Sequence, residues 1–284
     1  MRVCFRAPVL ALAIVTAAAS SALLGACAST ATADPATAAA AARLEQVLTG
    51  DQRSAANRAR DPYRHPRETL TFFGARPDMT IVEIFPGDGW YTEILAPYVH
   101  GTGKLYAAHY DPDSTNTYGQ NALQGFREKL AARPDLYGEV SVTALSAGKT
   151  SIAPPGSADL VVTFRNIHNW MAGDYAPVAF KAMYDALKPG GVLGVEEHRA
   201  RTDQPQDPKA KSGYVREDYA IALIESVGFK LVGRSEVNAN PRDSKDHELG
   251  VWTLPPNYRA GDKDREKYAA IGESDRFTLK FVKP

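Results

Sequence analysis

Three histidines stand where chemistry is possible, because each follows a short apolar run: His109, His168 and His198, the last directly after Glu196 and Glu197. An imidazole titrates near neutrality. At the rim of a ligand site it can act as a general base, bind an acceptor, or ligate a metal such as zinc. It can equally be a hydrogen-bonded loop residue that supports a crevice. No close ligand spacing such as His-x-x-x-His occurs, so no metal site is assigned, and His168 and His198 are the catalytic candidates. A second constellation is Glu83-Ile84-Phe85-Pro86-Gly87-Asp88-Gly89, followed by Tyr91 and Thr92. An apolar run ends in a carboxylate, a glycine turn follows, and a helical pattern begins. Glycine lets backbone approach a ligand closely, and a helix N-terminus offers free N–H groups. Alone, such a turn serves any tight strand-to-helix connection equally well.

Other residues are softer candidates. Arg165, Asn166, Asn169 and Trp170 follow the run that ends at Phe164. Tyr63 and His65 lie early, and Asn238, Asn240, Arg242, Asp243 and Trp252 lie late. Amide and aromatic side chains suit a pocket wall, and they brace loops just as readily.

These residues need elements to position them. From residue 79 onward, β-rich runs over 79–85, 104–109, 140–145, 159–164 and 192–197 alternate with helical patterns over 91–98, 121–132 and 175–187. A helix over 214–227 and strands over 230–237 and 277–282 complete the series. The alternation predicts an α/β fold, doubly wound around a mostly parallel seven-stranded sheet, with the C-terminal strand antiparallel. Helical stretches over 44–60 and 66–73, broken by Asp61-Pro62 and His65-Pro66, predict an N-terminal helical cap over the crevice. The domain over 43–284 then divides into the cap (43–76), the core sheet (77–238), an excursion (239–276) and the last strand (277–284). The charge run over 262–267 reads as a solvated helix face.

Arg2 and Arg6 precede an apolar run that ends in Leu24-Gly25-Ala26-Cys27. That pattern predicts a lipoprotein signal peptide over 1–26, lipidation at Cys27, and an Ala/Thr-rich tether over 27–42. Ordinary cleavage after Ala31-Thr32-Ala33 is the alternative. The expected place is the cell envelope, on a periplasm-facing lipoprotein that touches the membrane through its lipid alone. The two cysteines, Cys4 and Cys27, leave the mature domain without a disulfide. Lysine plus arginine and aspartate plus glutamate balance at 33 each, which argues against a nucleic-acid partner.

Glu83 to Gly89 resembles motif I of class I S-adenosylmethionine-dependent methyltransferases. Asp159-Leu160-Val161-Val162 with Asn166-Ile167-His168-Asn169 resembles their fourth strand and its motif. Leu187-Lys188-Pro189-Gly190-Gly191 resembles the turn before the fifth, and Val227-Gly228-Phe229 the approach to the sixth. More narrowly, Asn166 to Asn169, Asn240-Pro241 and Ser274-Asp275-Arg276-Phe277 resemble exported bacterial proteins described as predicted methyltransferases. The resemblance implies a Rossmann-like methyltransferase fold, S-adenosylmethionine as cofactor, and methyl transfer to a small molecule or envelope component. It implies a cofactor site of Glu83, Phe85, Gly87, Asp88, Gly89, Tyr91, Thr92, His109 and Asn166. The acceptor would lie beside Tyr63, His65, Asn169, Trp170 and Asn240.

The sequence departs from that pattern in three places. Phe85 replaces the first glycine, and His109 replaces the acidic residue that holds the ribose hydroxyls (Asp111 lies two residues on). No acidic residue follows the run over 140–145, where one often contacts the adenine. Those departures support a different expectation, a non-catalytic envelope protein that binds its ligand on a degenerate methyltransferase fold. A nicotinamide-dependent oxidoreductase fits less well, since Gly87-x-Gly89-x-x-Thr92 lacks a third glycine.

Overall fold

Seven strands form one sheet in the order β3-β2-β1-β4-β5-β7-β6. They are β1 Thr80–Ile84, β2 Lys104–His109, β3 Ser141–Ala144, β4 Ala158–Phe164, β5 Leu187–His198, β6 Lys230–Ser235 and β7 Arg276–Val282. The computed structural model describes residues 35–284, with Met1, Val3 and Cys4 ahead of them. Cys27 and most of the expected signal and tether lie outside the described residues. Among the described residues, no helix is long and apolar enough to cross a membrane.

Strands β1 to β5 run parallel, and β7 lies antiparallel between β5 and β6. This is the expected α/β sheet with its antiparallel ending. The parallel strands read as continuous apolar runs because both faces are covered: Ile81, Val82, Ile84, Leu160, Val161 and Val162 are all fully buried. On one face Phe180 and Met183 of the Ala176–Ala186 helix pack with Trp170 against the sheet. On the other, Leu44, Leu70, Phe73 and Ile94 join the Pro35–Thr49, Pro66–Phe73 and Thr92–Val99 helices to the sheet. Gly194 makes the second contact possible, since a Cβ there would lie 2.6 Å from the Phe73 ring. Chain order reverses between β1 and β4, so a crevice opens at their carboxyl ends, the ligand position of such sheets.

The structure corrects several local expectations. The first helix begins at Pro35, so residues 35–42 are helix rather than tether. Alanine favours helix strongly, and Leu44, Val47 and Leu48 anchor the segment by burial. Arg43 Nη2 adds bonds to the carbonyls of Pro97 (3.1 Å) and His100 (2.6 Å). The stretch over 44–60 is not continuous; it breaks after Thr49 and restarts under a Ser54 cap. Residues Ile167–Ala172 form a short helix that sequence periodicity does not reveal. Residues 262–267 are exposed as expected, but the helix begins only at Arg265, and it is anchored by the buried Tyr268.

Candidate functional site

A cleft of about 400 Å³ opens at the carboxyl edge of β1 and β4, roofed by the N-terminal helices and by the excursion that contains Trp252. The size falls in the usual range for small-molecule sites. Its floor is the turn after β1. Phe85, Gly87 and Gly89 all hold left-handed φ values, 48°, 58° and 79°. The glycine-type backbone path thus survives the substitution at Phe85, at a cost of about 1 kcal/mol or more. The Phe85 ring does not block the cleft. It stacks on Tyr110 at 4.7 Å, leans on Trp170, and forms an apolar wall.

Gly87 faces open space: a Cβ there would meet nothing within 4 Å. Gly89 turns the other way, with the Phe126 ring 3.2 Å from a would-be Cβ. Glu83 lies behind the turn, fully buried, where Oε2 accepts from Thr92 Oγ1 at 2.6 Å. Burial raises its pKa to about 7 against the opposing hydroxyl bond. His109 is also sealed behind the turn. Its Nδ1 accepts from the Tyr110 N–H at 2.8 Å, which leaves Nε2–H for the Gly87 carbonyl at 3.2 Å. Burial lowers its pKa, so this imidazole is neutral.

The opposite wall carries the histidine pair. His168, in the helix after β4, and His198, at the end of β5, lie 5.5 Å apart between ring centres. Glu197 joins them from below, fully buried. Its Oε1 accepts from His168 Nδ1 at 3.0 Å and from the His198 N–H at 2.8 Å, and its Oε2 accepts from the His168 N–H at 3.3 Å. A carboxylate on Nδ1 fixes the tautomer and leaves Nε2 as the proton acceptor. His198 Nδ1 pairs with Ser274 Oγ at 2.6 Å, and burial first, then neighbouring positive groups, push its pKa far down. One donor atom each from His168, Glu197 and His198 falls within 4.8 Å of the others. Hydrogen bonds engage both carboxylate oxygens, and Glu197 thereby braces the His168 imidazole.

Of the residues expected from sequence, Phe85, Gly87, Asp88, Asn166, His168, Asn169 and His198 line the cleft. Asn166 is mainly a brace, since its amide bonds the Ile84 carbonyl and Thr163 Oγ1, both at 3.1 Å. Others are corrected. Glu83, Gly89, Thr92 and His109 support the turn from behind. Tyr91 is buried against Phe164 at a ring separation of 3.5 Å, and Trp170 is a fully buried core residue. Tyr63, His65 and Asn240 line a separate depression, where the Asn240 amide bonds the carbonyls of Ile271 and Glu273. Sequence reasoning missed Arg60, Arg64, Trp90, Tyr110 and Glu273, all of which line the cleft. The four-residue spacing of Arg60 and Arg64 before His65-Pro66 was the available signal.

No protein-family model matches the sequence, and no curated protein matches it. Solved structures do share its fold. An S-adenosylmethionine-dependent methyltransferase from Aquifex aeolicus superposes with a TM-score of 0.54 at 15% identity, over 86% of this chain and 98% of that one. The [4+2]-cyclase SpnF gives 0.55 at 16% identity, over 83% and 85%. Haemonchus contortus phosphoethanolamine N-methyltransferase 2, solved with phosphomonomethylethanolamine and S-adenosylhomocysteine, gives 0.53 at 16% identity, over 85% of this chain and 60% of that one. The architecture is that of the class I methyltransferases.

Proposed function

We propose that this protein is an S-adenosylmethionine-dependent methyltransferase acting on a small molecule. The observation that carries the reading is that the open Gly87 turn and the Glu197-braced His168 imidazole face one cleft. The turn fits the cofactor. Gly87 leaves space where a side chain would protrude, and Phe85 and Tyr110 present ring faces beside it. When bound, the cofactor supplies an electrophilic methyl group on a sulfonium. Gly87 and Asp88 would hold it against the turn. His168 Nε2 accepts a proton from the acceptor, and Glu197 stabilises the imidazolium that results. His198, kept neutral by burial and nearby charge, adds no competing cation. Alignment within the cleft supplies much of the remaining rate.

One observation favours a second reading. His109 is buried where the fold's relatives in the resemblance carry a ribose-binding carboxylate, and Asp111 is tied to Lys149 at 2.8 Å and to Ser146 at 3.1 Å. A ligand-binding protein without catalysis, or one with other chemistry on this fold as in the cyclase SpnF, follows from that difference. Calorimetric titration of the purified chain with S-adenosylmethionine and S-adenosylhomocysteine decides between them. Micromolar binding supports the methyltransferase, and absence of heat from correctly folded protein rules it out. The N-terminal pattern around Cys27 supports a further proposal, that the enzyme works in the cell envelope as a lipoprotein.

A further inference from the structure

Beside the histidine pair, four guanidinium groups converge on two buried carboxylates. Glu273 accepts from Arg60 Nε at 2.7 Å, Arg64 Nε at 3.2 Å and Arg276 Nη1 at 3.1 Å. Glu196 meets Arg165 Nη1 at 2.7 Å and Arg276 Nη1 at 3.3 Å. Glu196 and Glu197 are consecutive on β5 and point to opposite faces, so Glu197 serves His168 and leaves this group alone. Asp88 sits on the exposed lip of the cleft. The cluster itself therefore holds two more positive than negative formal charges.

Such an excess is costly in a site with little water. Burial and the charge of Arg165 bring the Arg64 guanidinium down to about 9, and Glu273 offsets them only in part. Glu273 itself is held at about 2: burial raises it, and the Arg64, Arg276 and Arg60 charges more than reverse that. Arg60 and Arg64 each reach Glu273 through Nε, which leaves their terminal nitrogens for the cleft that both residues line. Arg64 also lies over the Trp90 ring at 4.7 Å, which fixes its plane. Arg165, immediately after β4, is held at a left-handed φ of 61°, a strained backbone for a residue with a side chain. Arg165, too, lines the cleft.

We infer that Arg60, Arg64 and Arg165 form an oxyanion-binding subsite, which holds a carboxylate or phosphate group of the ligand beside His168. The inference deepens the methyltransferase reading and rests on the same cleft, but the subsite stands without the cofactor. Guanidinium forks match planar carboxylates and phosphates, and a bound anion would neutralise the excess charge. Two sources share this chemistry: the methionine carboxylate of the cofactor and an anionic group on the acceptor.

The test uses the full chain, thermal denaturation and calorimetry. Inorganic phosphate at millimolar concentration should raise the melting temperature of the wild type, against chloride at equal ionic strength. Arg60→Gln and Arg165→Gln should weaken that protection tenfold or more. Arg60→Gln should also leave the ligand-free protein as stable as wild type or more so, since Glu273 keeps Arg64 and Arg276. S-adenosylmethionine and its decarboxylated analogue then assign the source. Weaker binding of the analogue places the cofactor carboxylate in the subsite, and equal binding places the acceptor's anion there. Phosphate protection without any S-adenosylmethionine binding would keep the subsite and remove the methyltransferase. No protection by phosphate, or equal protection in both glutamine variants, overturns the inference.

Discussion

The imidazoles of His168 and His198 stand 5.5 Å apart across the seam between β4 and β5, and one oxygen of Glu197 serves both residues. It takes the ring proton of His168 and the backbone proton of His198. The pair is thus asymmetric: His168 has a carboxylate behind it, whereas His198 has only the Ser274 hydroxyl. That asymmetry is what supports His168 as the base of the proposed reaction.

His168→Ala should lower turnover by about 10²–10⁴-fold and leave S-adenosylmethionine affinity within a few-fold of wild type. Transfer of labelled methyl from the cofactor into a small-molecule extract measures the first, and calorimetry the second. Equal turnover in the variant would remove His168 from the chemistry. His198→Ala should cost less, because that ring lacks the carboxylate.

Gly87→Val should abolish cofactor binding and destabilise the fold by only about 1–3 kcal/mol. The residue sits at φ 58° on the cleft side of the turn, where a side chain meets no protein atom and would intrude on a ligand. Retained affinity in the folded variant would place the ligand elsewhere.

Glu83→Gln should stabilise the protein at alkaline pH. The carboxyl ionises near 4.5 unfolded and near 7 folded. Its native form binds the proton more tightly, so its contribution is present below pH 4.5 and is lost as pH rises to 7. The variant should match wild type at pH 4.5 and exceed it at pH 8 by about 2–3 kcal/mol, read from urea midpoints. A difference independent of pH would mean that Glu83 is not the titrating group.

Cys27→Ser should release the protein from the membrane fraction, or leave its leader uncleaved in the inner membrane. Wild-type protein recovered unlipidated, in a soluble fraction, would overturn the lipoprotein proposal.

The sheet was legible because its strands carry their own signal. Residues 104–109 and 66–73 have the expected bounds, and β7 pairs as its position after a long excursion suggested. The turn after β1 was legible for the same local reason. Which side of that turn each residue faces was not, because the residue types of Glu83, Thr92 and His109 suit a ligand contact as well as a buried brace. Trp170 looked like a pocket residue and is core, since nothing local distinguishes an indole that faces the Ala176–Ala186 helix from one that faces a ligand. The arginine cluster escaped notice because Arg60 and Glu273 lie 213 positions apart, and only the closed fold joins them.

β7 is the last element in the chain, yet it occupies the interior of the sheet between β5 and β6. β6 is synthesised well before β7, the one strand it pairs with among the described residues. Until β7 is in place, the sheet carries a gap with two open edges, and Phe277, Leu279 and Phe281 are missing from the core. Arg276 arrives on the same strand and completes the bridges to Glu196 and Glu273. Loss of β7 would therefore take the Arg276 bridges beside the cleft along with the strand.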